Sequence, residues 1–262
     1  MDGILHESTE IKEEVLCEAL SLELEKTDGV GKVDFGTFLS LVEKYRSHGP
    51  GALHMILKAA KLKLDRSGFN QVMYGVVAAV GMEKLFMTAE FFIREIKEPE
   101  KGREIYRLAI EKNSSPSPLI RVLESVTSFM PEEYLICDTL SKIIRRIDDD
   151  GSDRFYRIAE AALLKLKSRH CQIRFIMDLH SVRSGHRDCY RLSALVYNVL
   201  ADRKWALELC EMAIREARYC DPPFALHAAK HLYRLTGDGT LSMPPLETYM
   251  KIMEDFNEDE EV

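Results

Sequence analysis

Glycine and proline are scarce in this sequence, with 14 and 9 residues in a chain of 262. All-β folds need many tight turns, which these residues favour, so the shortage argues against them. It also argues against nucleotide-binding folds that are built on glycine-rich loops. Alanine, leucine, glutamate, lysine and arginine dominate instead, and all five favour helices. The composition therefore predicts an all-α protein.

Long apolar runs are also missing. The longest stretches, such as residues 76–80, are far shorter than the roughly 20 residues of a membrane-spanning helix. Polar residues interrupt the first thirty positions, which argues against a signal-peptide core. The six cysteines stand singly at irregular spacing, without a CxxC pair, and this favours reduced thiols over a disulfide framework. We therefore expect a cytoplasmic protein with no membrane segment.

Sequence signatures of catalysis and metal binding are missing as well. No serine stands in a Gly-x-Ser-x-Gly motif, and no cysteine has a catalytic signature around it. His227 with His231, and His186 with Cys189, have helical spacing, but neither pair has a third donor at a recognisable position. The acidic run 148–150 precedes Gly-Ser and is typical of a solvated loop. We predict no enzyme activity, no cofactor and no metal.

A short stretch near the N-terminus resembles the end of an EF-hand calcium loop. It places Gly31 at the bend and Asp34 at the start of a following helix. A calcium loop needs several oxygen ligands, including a glutamate that closes it. Thr37 stands at that closing position, and Asp28 is the other acidic donor that remains. We therefore expect a turn between helices and not a calcium site.

The net charge of −7 is unevenly distributed along the chain. Residues 1–28 carry −7 and residues 247–262 carry −6, so residues 29–246 carry +6. Residues 142–191 contain twelve lysines and arginines against seven acidic residues. Such a segment attracts acidic peptides or nucleic acid by electrostatics. The alternative is a solvated surface whose charges serve only solubility.

Helical periodicity continues along most of the chain between short breaks. These fall at 29–31, 49–51, 67–68, 81, 98–99, 115–118, 130–131, 148–152, 184–185, 221–223, 237–239 and 244–245. Most of the pieces between them have the length of an ordinary helix. The pattern predicts roughly twelve to fourteen helices.

Similar segments recur along the chain with a period of about 34 residues. Tyr156 and Tyr190 each open a predicted helix, and the separation of these two tyrosines equals that of Leu192 and Leu226. A fixed period of this length is typical of stacked helical hairpins. One hairpin cannot cover its own apolar face, so its neighbours must stack against it.

Residues 187–220 form the clearest unit. The first helix carries Tyr190, Ala194 and Tyr197, the second carries Ala206, Cys210 and Ala213, and Asp221-Pro222 follow. This order of aromatic and small residues resembles the tetratricopeptide repeat. Tyr190 stands in place of the usual tryptophan, and Cys210 in place of an aromatic residue.

A second stretch, residues 85–116, matches the pattern in its second half. The matching residues there are Gly102, Tyr106, Ala109 and Pro116. The resemblance implies a superhelical stack of about six to seven helical hairpins, a tetratricopeptide-like α-α solenoid. Pentatricopeptide-type arrays, HEAT-type arrays and a compact irregular α-domain are the alternatives.

Three regions are expected in this arrangement. Residues 1–48 are predicted to form an atypical N-terminal helical cap, and residues 49–246 a helical-hairpin repeat array. Residues 247–262 are predicted to form a C-terminal helix and an acidic disordered tail. We hypothesise that the tail visits the groove of its own chain or of a neighbouring copy.

The resemblance also implies a binding groove, because the first helix of each tetratricopeptide hairpin lines a concave surface. On this sequence the implied groove residues are Asp188, Arg191, Leu195 and Asn198, then Arg154, Arg157, Ala161 and Leu164 from the preceding unit, and Lys230 from the next. Guanidinium and amide groups hold carboxylates by charge-assisted hydrogen bonds. The alternative is that they pair with Glu160 or Asp188 between repeats.

We therefore predict a non-catalytic scaffold that binds a partner protein or an acidic peptide through Arg154, Arg157, Arg191, Asn198 and Lys230. The alternative is nucleic-acid binding by residues 142–191. That stretch has few aromatic residues for stacking on bases. Those it has are Phe155, Tyr156, Phe175 and Tyr190.

Overall fold

A computed structural model describes Leu22, residues 34–146 and residues 152–236. Several predicted features lie outside the described residues: most of the predicted cap before residue 34, Asp28 and Gly31 of the EF-hand-like stretch, the acidic run 148–150, the breaks at 237–239 and 244–245, and the C-terminal tail. Within the described ranges all regular structure is helical, without strands. The all-α prediction is confirmed for this part of the chain.

Twelve α-helices follow one another in the described ranges. They are α1 (Phe35–Tyr45), α2 (Pro50–Lys63), α3 (Arg66–Ala79), α4 (Leu85–Phe91), α5 (Pro99–Lys112), α6 (Pro116–Phe129), α7 (Glu133–Ile144), α8 (Ser152–Leu163), α9 (Arg169–Val182), α10 (His186–Leu195), α11 (Arg203–Cys220) and α12 (Pro222–Thr236). Short π-helical segments continue α4 (Phe92–Ile96) and α10 (Val196–Leu200).

Local sequence explains several of the helix starts. Asp34 caps α1 by accepting a hydrogen bond from the backbone N–H of Thr37 at 2.9 Å. Thr37 also donates its hydroxyl to the same oxygen, and the two bonds hold the pKa of Asp34 below its ordinary value. The position where an EF-hand would have its closing glutamate therefore serves a helix start. Proline occupies the first position of α2, α5 and α6, where its missing N–H is tolerated.

The chain divides into two compact units, Met1–Met130 and Pro131–Val262. In the first unit, hydrogen bonds connect helices that lie two apart in sequence. His54 on α2 is 3.1 Å from the hydroxyl of Thr88 on α4, which is 34 residues later. Glu90 accepts from Ser125 on α6, 35 residues away. These separations match the period predicted from the sequence.

In the second unit the same separation recurs. Tyr156 on α8 donates to Asp188 on α10, 32 residues later. Arg187 on α10 donates to Asp221, at the start of α12, 34 residues later. Tyr190 packs edge-on against Phe224 of α12, with ring centroids 5.5 Å apart. Each helix of this series therefore packs against the second helix after it.

The two π-helical segments end in the same way. Lys97 follows the first and Ala201 the second, and both adopt left-handed backbone conformations with φ of 61° and 52°. A cationic side chain from an earlier helix caps the last carbonyl of each segment. Lys61 donates to the carbonyl oxygen of Ile96, and Arg169 donates to that of Leu200 at 3.1 Å.

No helix in residues 34–146 and 152–236 combines the length and the apolar character that a bilayer crossing requires.

Candidate partner-binding surface

The groove residues implied on α8 are all exposed. Phe155, Ala159 and Ala162 point into the core and are fully buried. Arg154, Arg157, Ala161 and Leu164 follow one another at helical spacing on another side of the helix and of the turn after it, and each is exposed. Leu164 exposes 56% of its surface. We call these four residues the α8 stripe.

On α10, Arg191 is held by the protein itself. Its Nη2 atom lies 2.6 Å from Oδ1 of Asp153, and its Nη1 atom lies 3.7 Å from Oδ1 of Asp188. Its guanidinium also lies over the ring of Tyr156, 5.7 Å from the centroid. Arg191 therefore connects α10 to α8, and less than a quarter of its side chain is exposed.

Asn198 makes a similar connection further along the two helices. Its side-chain amide donates to Oε1 of Glu160 on α8 at 3.0 Å. The sequence left open whether Arg191 and Asn198 bind a partner or pair with Glu160 or Asp188. The observed contacts are those of the second alternative.

Two other residues implied on α10 do not reach the surface. Asp188 is 9% exposed and Leu195 is 2% exposed, so the expectation that both face a groove is wrong. The buried side of α10 includes Cys189 and Leu192 and extends to both residues. Arg187 and Tyr197 are exposed on this helix instead.

Lys230 is the remaining residue that the resemblance implied for the groove. This residue lies in α12, but its side chain is outside the part of the structure that is described. Its role in binding stays a prediction.

Asp188 is the centre of a polar cluster that joins α8 and α10. Its carboxylate accepts the hydroxyl hydrogen of Tyr156 at 3.2 Å, and its Oδ2 lies 3.5 Å from Nε of Arg183. Burial raises the pKa of Tyr156, and the carboxylate of Asp188 raises it further. The phenol therefore stays neutral and donates, and the cluster fixes α8 against α10. No sequence pattern had indicated Arg183 as a part of it.

The histidines weighed as metal ligands have other contacts. His227 lies 3.2 Å from the hydroxyl of Tyr190, and the ring of His231 packs edge-on against Tyr190. His186 has its Nε2 atom 3.6 Å from Asp221. Within the described ranges, no group of three or more His, Cys, Asp or Glu residues is arranged to hold a metal ion.

A cavity of about 620 Å³ lies in the first unit, where the end of α2 meets the starts of α3 and α5. Lys61 and Lys101 both form ion pairs there with Glu98, at 3.1 and 3.3 Å. Lys101 also donates to Asn70 and lies 4.7 Å from the centroid of Phe69. Two of the cations that line this cavity, Lys61 and Lys101, are therefore already engaged. Sequence reasoning missed it, because it is formed by helix ends far apart in the chain.

No protein-family model matches the sequence, and no curated protein matches it. Among solved structures, the chain aligns with a protein described as "Computational Design of Self-Assembling Cyclic Protein Homooligomers". The alignment covers 98% of this chain and 96% of that chain, at 12% sequence identity and a TM-score of 0.18. A TM-score this low carries no inference about the fold or assembly of this protein.

Proposed function

We propose that the protein is a helical-hairpin repeat protein that binds a partner protein or peptide without catalysis. The observation that carries this proposal is the α8 stripe. It presents two arginines and an exposed leucine on one side of a helix whose core side is fully buried. Arginine beside exposed apolar surface is a composition that protein interfaces favour. Tyr197, in the π-helical segment that continues α10, is 42% exposed and adds an aromatic side chain, a type that interfaces also favour.

The contacts between helices support the repeat part of the proposal. In both units hydrogen bonds join residues 31 to 38 apart, as expected when consecutive hairpins stack. Tyr156 and Tyr190 each contact the second helix after their own, Tyr156 through Asp188 and Arg191 and Tyr190 through Phe224. In tetratricopeptide arrays the first helices of hairpins line the concave surface, and α8 and α10 hold that place here.

Within the proposed surface, Arg154 and Arg157 are the residues that contact a carboxylate of the partner. Arg191 and Asn198, which the sequence grouped with them, instead hold α10 against α8. The stripe combines positive charge with apolar area. The fitting partner is therefore a segment in which acidic residues flank a leucine or an aromatic residue.

Nucleic-acid binding by residues 142–191 is less well supported. Phe155, Tyr156 and Phe175 are at most 7% exposed, so they are not available to stack on bases. Four arginines of this stretch also bind groups of the protein itself: Arg169 the carbonyl of Leu200, Arg183 Asp188, Arg187 Asp221, and Arg191 Asp153. These contacts reduce the positive charge that is available for phosphates.

A charge-reversal experiment tests the proposal. Arg154→Glu/Arg157→Glu is compared with Arg145→Glu/Arg146→Glu, which changes two exposed arginines outside the stripe by the same charge. Fluorescence anisotropy measures binding of a labelled glutamate- and leucine-rich peptide, a single-stranded RNA and a DNA duplex, each over a salt series. We expect the stripe variant to weaken peptide binding about tenfold or more. The control should bind the peptide as the wild type does.

The other outcomes decide between the functions. Nucleic-acid binding would be established instead if the wild type binds RNA or DNA with a steep salt dependence and does not bind the peptide. Both variants should then lose RNA or DNA affinity to the same extent. The hypothesis that the acidic tail visits this surface has its own test. Deleting residues 257–262 should raise the affinity for the peptide, and an unchanged affinity at low salt contradicts it.

A further inference from the structure

The cysteines in the described ranges all lie in the second unit, and one of them differs from the others in its exposure. Cys189 and Cys210 are fully buried, and burial raises the pKa of their thiols to about 11 and about 12. Cys137 and Cys171 are half-buried. Cys220, the last residue of α11, is exposed. Among these five cysteines, a reagent in solution therefore reaches Cys220 most easily.

A histidine and a carboxylate lie beside this exposed thiol. Nδ1 of His186, the first residue of α10, is 4.0 Å from Sγ of Cys220. On the other side of the imidazole ring, Nε2 is 3.6 Å from Oδ2 of Asp221. His186 and Cys220 are 34 residues apart, as are Arg187 and Asp221. Both contacts therefore follow the separation found elsewhere in the second unit.

The neighbours of the imidazole favour one tautomer of the ring. Arg187 donates to Asp221 at 2.7 Å, and this hydrogen bond holds the pKa of Asp221 below its ordinary value. Asp221 is therefore a carboxylate at neutral pH, and it favours the tautomer of His186 that has its hydrogen on Nε2. Nδ1 then presents its lone pair to the thiol. The ring of Phe224 packs edge-on against the imidazole, with centroids 5.2 Å apart, and limits its rotation.

The thiol hydrogen of Cys220 has two acceptors within reach. Its Sγ is 3.3 Å from the carbonyl oxygen of Glu216 and 4.0 Å from Nδ1 of His186. A carbonyl oxygen accepts a hydrogen bond but does not remove the proton, whereas a neutral imidazole does both. A nucleophile and its base are often this far apart before the reactant is bound. The order of thiol, imidazole and carboxylate is that of an activated nucleophile.

We propose that Cys220 is a site of covalent modification by α,β-unsaturated carbonyl compounds, with His186 as its base and Asp221 as the group that positions His186. The thiol proton passes to Nδ1 of His186, and Sγ attacks the β-carbon of the electrophile. The S–C bond forms, the π bond of the alkene breaks, and the proton moves from the imidazolium to the α-carbon. The reaction is an addition, so no group leaves and no oxidant or reductant is consumed.

This class of electrophile suits the cluster because a sulfur nucleophile attacks such carbon atoms readily and the imidazolium supplies the proton that the product needs. The carboxylate of Asp221 lies next to the imidazolium while it carries that proton, and opposite charges at this distance attract. The inference does not depend on the proposed function, since it concerns α10 and the end of α11 and uses no residue of the α8 stripe.

The contribution of the base should depend on pH. An ordinary thiol is only about 3% ionised at pH 7 and almost fully ionised at pH 10. The imidazole therefore accelerates the reaction at neutral pH and adds nothing at pH 10, where the thiolate forms without it. The charged groups that face the imidazole are Asp221 and, bound to Asp221, Arg187. Both keep their charge between these pH values.

Labelling of the reduced, full-length protein with acrylamide, an α,β-unsaturated amide, tests the inference. Samples taken over time are quenched with dithiothreitol, digested with trypsin and analysed by mass spectrometry. Cys220 is followed in the tryptic peptide 219–230. At pH 7 this peptide should acquire the adduct at least about tenfold faster than the peptides that contain Cys189 and Cys210. Equal rates for the three peptides would overturn the inference.

Two variants test the roles of the neighbours. His186→Asn removes the base and should slow the labelling of Cys220 at pH 7 about tenfold. Asp221→Asn removes the charge but keeps the shape of the side chain, and it should slow labelling by a smaller factor. His227→Asn is the matched control and should label as the wild type does, because His227 is an exposed histidine that contacts Tyr190. Circular dichroism verifies that all three variants are folded.

Labelling at pH 10 separates a base from a purely structural role. There, His186→Asn and Asp221→Asn should both label at the rate of the wild type. A deficit of His186→Asn that persists at pH 10 would overturn the inference, because the histidine would then govern only access to the thiol. Equal rates of His186→Asn and the wild type at pH 7 would overturn it as well. An Asp221→Asn variant that labels as the wild type does at pH 7 would contradict the role of Asp221.

Discussion

The hydroxyl of Tyr156 donates a hydrogen bond to Oδ1 of Asp188 at 3.2 Å, and both side chains are buried although 32 residues separate them. Arg183 and Arg191 contact the same carboxylate from other directions. The cluster holds a buried negative charge with two cations and a phenol. Removal of one charged member of such a cluster strongly lowers the stability of the folded protein, because the remaining charges lose that partner.

This relationship predicts an ordered series of stabilities. Tyr156→Phe removes one hydrogen bond to a charged group and should lower the free energy of unfolding by about 2 kcal/mol. Asp188→Ala removes the carboxylate that Arg183, Arg191 and Tyr156 share and should lower it by about 3–5 kcal/mol. Urea denaturation followed by circular dichroism measures both changes. Tyr197→Phe, at a tyrosine that is 42% exposed, is the control and should change little. Equal effects of Tyr156→Phe and Tyr197→Phe contradict this view of the cluster.

The folded protein should lose stability in acid, because His54 is buried. Burial lowers its pKa to about 4, while an unfolded histidine titrates near 6.5. Between these values the unfolded state binds more protons than the folded state, so stability falls as pH falls. The loss should reach about 3 kcal/mol at pH 4.

Comparison with His54→Gln isolates this contribution from the titration of the carboxylates. The stability of the wild type minus that of the variant should decrease from pH 7 to pH 4, measured by urea denaturation at each pH. The neutral ring stacks on Phe91 at 4.5 Å, so the variant should be less stable at pH 7. A difference that stays constant with pH would show that His54 titrates normally.

Gly102 lies so close to Ile93 and to the backbone of Ala89 that a side chain at this position should destabilise the protein. A methyl group there would lie 2.6 Å from Cγ1 of Ile93 and 3.0 Å from the carbonyl oxygen of Ala89. Gly102→Ala should therefore destabilise the protein by about 2 kcal/mol, even though alanine is the better helix former. Gly75→Ala is the matched control, because it meets the end of the Leu39 side chain, which can move. Thermal unfolding should show a clear loss for Gly102→Ala and little change for Gly75→Ala.

Replacing Ala201 by glycine should make the protein more stable. The φ of Ala201, 52°, lies in the left-handed region, which costs a residue with a side chain about 1–2 kcal/mol. Ala201→Gly removes that cost but adds about 0.5–1 kcal/mol of chain entropy, so we expect a net gain of about 0.5 kcal/mol. Ala194→Gly, in the interior of α10, should instead lose about 1 kcal/mol. Chemical denaturation of the two variants should show shifts of opposite sign.

Helix starts were predictable where the sequence carries their chemistry. The breaks at 49–51, 98–99 and 115–118 contain the prolines that begin α2, α5 and α6. The break predicted at 67–68 falls inside α3, which begins at Arg66 with Asp65 as its cap. The glycine there serves the first turn of the helix and does not separate helices.

Two helix ends were not predictable from the sequence. The chain leaves α10 through a π-helical turn and Ala201 in a left-handed conformation, without glycine or proline to mark the place. The turn between α8 and α9 likewise contains neither residue. Tertiary packing, and not local preference, sets the backbone at these two points.

The exposure of the implied residues was predictable on α8 and not on α10. The spacing that exposes Arg154 and Arg157 follows from one buried side of a helix, which the sequence shows. On α10, the buried side includes Asp188. An acidic residue is buried only when it is paired, so this side could not be predicted without knowing the partners of Asp188. That pairing joins distant positions, and periodicity alone does not reveal it.

The cationic caps on Ile96 and Leu200 have a consequence for how the protein opens. The last carbonyl of each π-helical segment is held by a side chain from an earlier helix, Lys61 in one unit and Arg169 in the other. Neither segment can fray without releasing a contact to that earlier helix. Local opening is thereby coupled along each unit, and amide hydrogens near these two ends should exchange together with those of the helices that supply the caps.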